Sequence, residues 1–199
     1  MTPEQLRILR TLAAEKNYGR GIGHATQVNK LSLDIYGKFI EFGFLKQASQ
    51  DREILEAAAL LHDIGLPEEP HNEVGFDLLK NEMPKLMAAK PLPLTEFSTI
   101  LYCILWHRGV NFSKRGNIDI TNPTYTSKMA AILRVADALD RTLQQCVEDV
   151  SAHLEGQRLI FTISSRHSIE TEINRAIKKA DLMKEAYSLK GVNFERAKR

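Results

Sequence analysis

The chain has 199 residues, enough for one domain, or one domain with a small appendage, around a substantial core. Its formal net charge of +2 gives no reason to expect a nucleic-acid or membrane partner, although basic residues could cluster locally. Two cysteines make no disulfide framework, no signal peptide is recognisable, and the longest apolar run, Ile100 to Trp106, cannot span a bilayer. We therefore expect a cytoplasmic protein.

Helical periodicity dominates the chain up to about residue 145. Leu6, Leu9 and Ala13 predict a short opening helix, and the apolar residues that follow His24 at helical spacing place His24 on the inward face of a second helix. Three glycines lie between these helices, but their spacing fits neither a P-loop nor a dinucleotide-binding fingerprint. We interpret them as a flexible start to the second helix: Gly19, Gly21 and Gly23.

The third predicted helix ends at a His-Asp dipeptide. Asp51 is its expected N-cap, and Gly65 followed by Pro67 is a strong stop signal, so the helix ends at His62 and Asp63. A buried imidazole beside a carboxylate suggests a compensating cation, most simply a divalent metal ion. The dipeptide alone is weak evidence, because chance also produces it.

Two helical segments and a long loop follow the dipeptide. Residues 72–79 predict a short helix, and a further helix opens after Pro91 and Pro93 and closes at His107. Residues 108–123 form a loop long enough to suggest a functional role, so we expect it to border the site.

The last helix before residue 145 is predicted over residues 125–143, with Asp137 near its apolar side. A carboxylate in this position needs a partner. Asp137 could bind a metal ion, or it could pair with Arg134 or Arg141 on the same helix.

The pattern changes after residue 145. Residues 147–154 and 158–164 alternate polar and apolar side chains and predict a β-hairpin. A helix over residues 169–187 follows, residues 189–194 could add a strand, and the basic residues 196–199 are expected to fray.

The polar residues on predicted inward faces come from five separate segments. Imidazole nitrogens and carboxylate oxygens suit Zn, Fe, Mn, Co or Ni, and ligands from several helix ends can converge at one end of a bundle. Four such groups would hold one ion and six could hold two, with water activated for attack on a phosphate ester or anhydride. The candidates are His24, His62, Asp63, His71, His107 and Asp137.

In their order along the chain, these residues resemble the pattern of the HD-domain metal-dependent phosphohydrolases. His24 fits the first histidine, residues 60–65 look like the defining His-Asp motif, and residues 133–140 are similar to the terminal Asp segment. The resemblance covers roughly residues 18–145. It implies a mainly α fold in which a helical HD domain, residues 1–145, carries a small C-terminal α+β appendage, residues 146–199.

A closer resemblance is to the C-terminal HD domain of the exopolyphosphatase/guanosine pentaphosphatase family. Three segments of the chain are similar to segments of that domain: residues 106–109, 133–141 and 179–182. The N-terminal domains that carry that family's polyphosphate chemistry do not occur in this sequence, so the resemblance implies the fold and not the reaction. In the HD-GYP branch of the HD superfamily, the later histidine is doubled and is followed by a Gly-Tyr-Pro element. This sequence has the single His107 and no such element, which distinguishes it from that branch.

The resemblance implies that His24, His62, Asp63 and Asp137 bind one metal ion. Asp63 would bridge to a second ion held by His71 and His107, and a metal-bound hydroxide would attack phosphorus. Each ligand has a plainer alternative: His24 could be a hydrogen-bonded core residue, and His71 could be a cap or loop residue.

Phosphate recognition requires positive groups near the metal ions. Arg108 is the first choice because it follows His107, and we also assign it a catalytic role beside Asp63 in stabilising phosphoryl charge. The other substrate-binding candidates are Arg20, Lys114 and Arg115, and Arg141 is a further possibility.

The predicted function is hydrolysis of a phosphoester or phosphoanhydride of a small phosphorylated compound, with a nucleotide as the expected substrate. The alternative is a regulatory module without turnover, which would bind a charged nucleotide such as a guanosine alarmone or mediate dimerisation. Under either prediction the protein could form a homodimer. A complete ligand set favours catalysis, because a module that only senses a nucleotide would tolerate loss of a metal ligand.

Overall fold

The structure is a computed structural model that describes residues 1–48, 50–89, 93–109 and 122–197. Within these ranges, six helices precede a β-hairpin, and two short helices then lead to a third strand. The elements are α1 (Pro3–Glu15), α2 (Ile22–Glu41), α3 (Asp51–Leu61), α4 (His71–Ala89), α5 (Leu94–Trp106), α6 (Pro123–Ala138), β1 (Asp149–Glu155), β2 (Arg158–Ser164), α7 (Glu170–Lys179), α8 (Asp181–Ala186) and β3 (Gly191–Arg196). The predicted fold class, mainly α with a small C-terminal α+β part, is confirmed.

Helix α5 forms the centre of the helical core. Every residue from Phe97 to Trp106 is buried, as its almost uninterrupted apolar sequence requires. The helix packs against α3, α4 and α6. Its C-cap is His107, so this buried helix delivers the histidine to the interior.

Helix α4 is longer than the predicted segment of residues 72–79, because it continues through Pro84 to Ala89. A proline within a helix removes one backbone donor and disfavours the preceding turn. Here Leu79 and Leu86, on either side of the proline, are both fully buried. Tertiary packing therefore holds the helix together across Pro84.

The prediction that Asp51 caps α3 is wrong. Gln50 is the N-cap residue, and its side chain makes no capping hydrogen bond. The buried Asp51 carboxylate instead accepts hydrogen bonds from the hydroxyls of Tyr36, at 2.9 Å, and Tyr125, at 2.5 Å. The carboxylate therefore binds hydroxyls from α2 and α6 and not the backbone N–H groups at the start of α3. These hydrogen bonds connect three helices of the bundle.

Helix α6 ends at Ala138, five residues before the predicted end at residue 143. The chain turns there because the Asp140 carboxylate accepts a hydrogen bond from the Gln145 backbone N–H at 2.8 Å. Leu143 and Gln145 both adopt positive φ, at 61° and 50°, which a helix does not allow. The turn brings Asp140 back under the start of α2.

The predicted hairpin is confirmed, since β1 and β2 pair in antiparallel register from Asp149 with Ser164 to Glu155 with Arg158. β3 adds to the other edge of β2 in parallel. The chain between β2 and β3 crosses over through α7 and α8, and α7 packs against α6. The division of the chain into domains at residue 145 stays a prediction.

The single helix predicted over residues 169–187 is wrong, because the chain breaks at Ala180 into α7 and α8. At the break, the Asp181 carboxylate accepts a hydrogen bond from the buried Arg134 guanidinium at 2.6 Å. The expected fraying at residue 196 is also wrong, since Arg196 ends β3 and donates to the carbonyls of Ser165 and His167. Residues 198–199 lie outside the described ranges.

None of the helices in the described part of the chain combines the length and apolar character that a membrane span requires.

Candidate metal centre

The structure brings the six predicted metal ligands together at one end of the helical bundle. They lie in the first turn of α2, at the end of α3 and just after it, at the start of α4, at the C-cap of α5 and in the last turn of α6. Five are buried, and the side chain of Asp137 is 22% exposed. In this order they are His24, His62, Asp63, His71, His107 and Asp137. Metal binding by them stays a prediction.

His24, His62 and Asp137 form the first of two donor groups. The Nε2 atoms of His24 and His62 are 3.2 Å apart. Asp137 Oδ1 lies 3.6 Å from Nε2 of His24 and 3.7 Å from Nε2 of His62. Each side chain thus offers one ligand atom to a common position.

Asp63, His71 and His107 form the second donor group. Asp63 Oδ1 is 2.9 Å from Nε2 of His71 and 3.5 Å from Nε2 of His107. The two Nε2 atoms are 3.2 Å apart. This group could hold a second ion.

Asp63 also faces the first group through its other oxygen. Asp63 Oδ2 lies 3.6 Å from Nε2 of His24 and 3.4 Å from Nε2 of His62. One carboxylate therefore presents Oδ1 to one donor group and Oδ2 to the other. This is the arrangement that a bridging ligand requires. Asp63 can adopt it because it follows His62 directly at the end of α3.

Hydrogen bonds donated by Nδ1 fix the direction of the Nε2 lone pair in three of the imidazoles. Nδ1 of His24 donates to Asp140 Oδ2 at 2.8 Å, that of His62 to the Ala59 carbonyl at 2.7 Å, and that of His107 to the Ile104 carbonyl at 2.6 Å. In the neutral rings the proton is then on Nδ1, so Nε2 carries a lone pair. The close Nε2 atoms of His24 and His62 would repel each other unless a cation lies between them.

The charges of the cluster also favour a cation near the Nε2 atoms. Burial alone would lower the pKa of His24, but its contacts with Asp137 and Asp140 outweigh burial and raise the pKa to about 9. Burial favours protonation of Asp63, yet the neighbouring imidazoles, above all His62, keep its pKa well below the usual range. The cluster thus stabilises positive charge at the position that the Nε2 atoms face.

A buried oxygen without a hydrogen bond supports metal binding further. Asp63 Oδ2 accepts no hydrogen bond from the described residues, and its charge is met by an ion pair with Arg20, whose Nε lies 2.7 Å away. A buried carboxylate oxygen without a hydrogen bond is costly. Together with the lone pairs of the imidazoles, this oxygen makes the residues a good fit for a divalent transition-metal ion.

Two carboxylates that contact the histidines were not predicted from the sequence. Asp140 orients His24, and Glu69 Oε1 lies 3.3 Å from Nδ1 of His71. Such carboxylate partners orient metal-binding imidazoles and increase their basicity. The spacing of three residues between Asp137 and Asp140 near a helix end was a signal for Asp140, whereas nothing local indicated Glu69.

Of the predicted substrate-binding residues, the structure places two beside the cluster. Arg20 lies beside Asp63, and the exposed Arg108 forms an ion pair with Glu69 at the edge of the cluster. Lys114 and Arg115 lie outside the described residues. Arg134, which was considered as a partner of Asp137, donates to Asp181 and to the Trp106 carbonyl.

A tight turn before α2, interpreted in the sequence as flexible, packs directly on the cluster. Gly19 has φ +70°, and a Cβ at this position would lie 2.0 Å from the Asp63 carbonyl oxygen. Gly21 has φ +93°, but a Cβ there would meet nothing within 4 Å. A side chain at Gly21 would therefore cause backbone strain alone, whereas one at Gly19 would cause strain and a clash with Asp63.

We expect Gly21→Ala to lower the free energy of unfolding by about 1–3 kcal/mol, from backbone strain alone. Gly19→Ala should lower it further and should also reduce bound metal, because its methyl group displaces the Asp63 backbone. Urea denaturation and elemental analysis of the two variants measure these effects. Equal losses of stability with unchanged metal content would contradict this role of Gly19.

Comparison with known families gives a match to the HD domain over residues 9–142, which is more than half of the chain. The matched range contains all six candidate ligands. No curated protein matches the chain.

Proposed function

The chain belongs to the HD domain family, and we propose that it is a phosphohydrolase that cleaves a phosphoester or phosphoanhydride of a small phosphorylated compound. Members of this family are usually metal-dependent phosphohydrolases. The observation that carries the proposal is the pair of buried donor groups that share the two oxygens of Asp63. A protein that only binds a partner has no need for this complete donor set.

In this proposal His24, His62 and Asp137 would hold one ion, His71 and His107 would hold a second, and Asp63 would supply an oxygen to each. Imidazole and carboxylate ligands suit Mn, Fe, Zn, Co or Ni. A divalent ion at such a site lowers the pKa of a water molecule and polarises a phosphoryl oxygen, which supplies a nucleophile at neutral pH.

The residues of the chain itself prepare this chemistry. Asp140 and the carbonyls of Ala59 and Ile104 keep three Nε2 lone pairs directed inward, so the ligands need little reorganisation. Arg108, which Glu69 holds beside His71, is the proposed donor to phosphoryl oxygens as charge develops on them. Arg20 lies close enough to serve as a second donor.

We also propose that the substrate is a nucleotide or a related phosphoanhydride. Support for this part comes from the resemblance of residues 106–109 and 133–141 to the C-terminal HD domain of the exopolyphosphatase/guanosine pentaphosphatase family. The highly charged surroundings of the cluster also suit a substrate with several negative charges.

Metal analysis combined with a substrate panel tests the proposal. We expect gently purified protein to contain one or two equivalents of a transition metal. We also expect metal-stimulated hydrolysis of at least one compound among nucleotides, inorganic polyphosphates and phosphomonoesters. Protein that neither retains metal nor shows metal-stimulated turnover would contradict it. Tight nucleotide binding by such an inactive protein would instead favour the regulatory module.

A further inference from the structure

A small charged pocket opens onto the ligand cluster, and one of its walls comes from the C-terminal part of the chain. The pocket has a volume of about 250 Å³, and ten of the eleven described residues that line it are ionisable. Pockets for drug-sized ligands measure roughly 300–1,000 Å³ and are mostly apolar. Apart from the imidazoles of His71 and His107, which belong to the ligand cluster, the described lining contains no aromatic ring that would stack on a base. It therefore favours a compact anion.

Two of the basic groups in this pocket are already paired. Arg20 lies against Asp63, and Arg108 forms an ion pair with Glu69. Both therefore belong to the cluster itself and to its immediate border. Their positive charges are partly compensated before any substrate binds.

Arg141 and Arg175 differ from these two arginines. Arg141 follows the end of α6, and Arg175 lies on α7, which packs against α6. Both line the pocket, and neither guanidinium group forms a hydrogen bond or ion pair with a residue in the described ranges. Two guanidinium groups at the wall of a small pocket, without an anionic partner among the described residues, are what an anion site requires.

Lys179 fixes the position of α7 relative to the cluster. Its side chain is buried, and Nζ donates to the carbonyl of His107 at 2.5 Å and to that of Arg108 at 2.8 Å. Arg175 lies four residues earlier, on the same face of the helix. The contact of Lys179 with the end of α5 thereby places Arg175 at the pocket.

We propose that Arg141 and Arg175 form an anion subsite for a second phosphate group, next to the phosphate that lies at the ligand cluster. This inference rests on the proposed phosphohydrolase function and narrows its substrate to compounds with a diphosphate group. Hydrolysis of such a group adds water across one P–O–P bridge and gives two phosphates, with release of a proton to solvent. The subsite would hold the phosphate that leaves.

Binding of methylenediphosphonate, which cannot be hydrolysed at its P–C–P bridge, tests the subsite without turnover. Calorimetry should show that the parent protein binds this probe at least about tenfold more tightly than orthophosphate. Arg175→Gln should weaken binding of the probe by roughly tenfold, the loss of one charged hydrogen-bonding group, and should leave orthophosphate binding almost unchanged. Arg141→Gln should act in the same direction.

Lys178→Gln is the matched control, because it removes the same charge from an exposed position of α7 that does not line the pocket. It should leave the affinity for both probes unchanged. Arg175→Lys, which keeps the charge but loses the planar fork, should bind the diphosphonate with intermediate affinity. An α,β-methylene nucleoside diphosphate, titrated in parallel, should show the same dependence on Arg175 if the diphosphate group comes from a nucleotide.

Equal effects of Arg175→Gln and Lys178→Gln on the diphosphonate would overturn the subsite. Equal weakening of orthophosphate and diphosphonate by Arg175→Gln would overturn it as well. Failure of the proposed function has a different result: no compound is hydrolysed, while diphosphonate binding still depends on Arg175. The two proposals can therefore fail separately.

Discussion

Asp63→Asn is expected to reduce hydrolysis of every substrate by about a thousandfold or more and to lower the metal content. The substitution preserves the shape of the side chain, so the bundle should fold as before. It removes the negative charge and replaces one oxygen by an N–H₂ group, which cannot bind a metal ion. Because Asp63 faces both donor groups, one change weakens both sites. A loss of several kcal/mol in transition-state stabilisation corresponds to this reduction in rate.

Circular dichroism, elemental analysis and turnover on the same preparation measure the effect. His153→Gln is a suitable control, because His153 is an exposed histidine on β1 and not one of the candidate ligands, and its Nε2 lies 3.6 Å from the exposed Glu155 carboxylate. This variant should retain the metal content and turnover of the parent. Parental turnover in folded Asp63→Asn protein would refute the proposed centre.

The six candidate ligands could be identified from the sequence because each lies at a position that local rules can locate. Helical spacing placed His24 and Asp137 on inward faces, and a stop signal placed His62 and Asp63 at a helix end. Several helix ends can meet at one end of a bundle. The order of the residues along the chain then supplied what spacing alone could not, namely that they belong to one cluster.

The partners of these ligands could not be predicted in the same way, because they depend on how distant elements pack. Asp140 reaches His24 across 116 positions of sequence, and Lys179 reaches the His107 carbonyl across 72. The failed cap at Asp51 has the same cause, since Tyr125, 74 positions away, competes for its carboxylate. Local propensity describes the residues near such a group and not its tertiary partners.

The C-terminal part illustrates this dependence most clearly. Alternation predicted its hairpin, but no local pattern placed Arg175 or Lys179 beside a cluster formed by the first 140 residues. Their position follows from the crossover between β2 and β3, which lays α7 against α6. A segment that looked like an appendage therefore supplies part of the pocket wall.

Substitutions in the two donor groups should remove metal ions separately. His107 belongs only to the group with Asp63 and His71, whereas His24 and His62 belong to the group with Asp137. With saturating metal, we expect two equivalents in the parent and one in His107→Gln. Turnover should fall by about a hundredfold or more in this variant, because two ions together neutralise more phosphoryl charge than one. Inductively coupled plasma mass spectrometry after gel filtration gives the stoichiometry.

His62→Gln is the matched variant for the first group, since His62 and His107 are both buried and both donate through Nδ1 to a backbone carbonyl three residues earlier. The two substitutions therefore disturb the fold in a similar way and differ in the donor group that they remove. Each should retain one equivalent of metal. Parental metal content in His107→Gln together with complete loss in His62→Gln would mean that the second group binds no ion. Asp63 would then be a ligand of a single ion, and not a bridge.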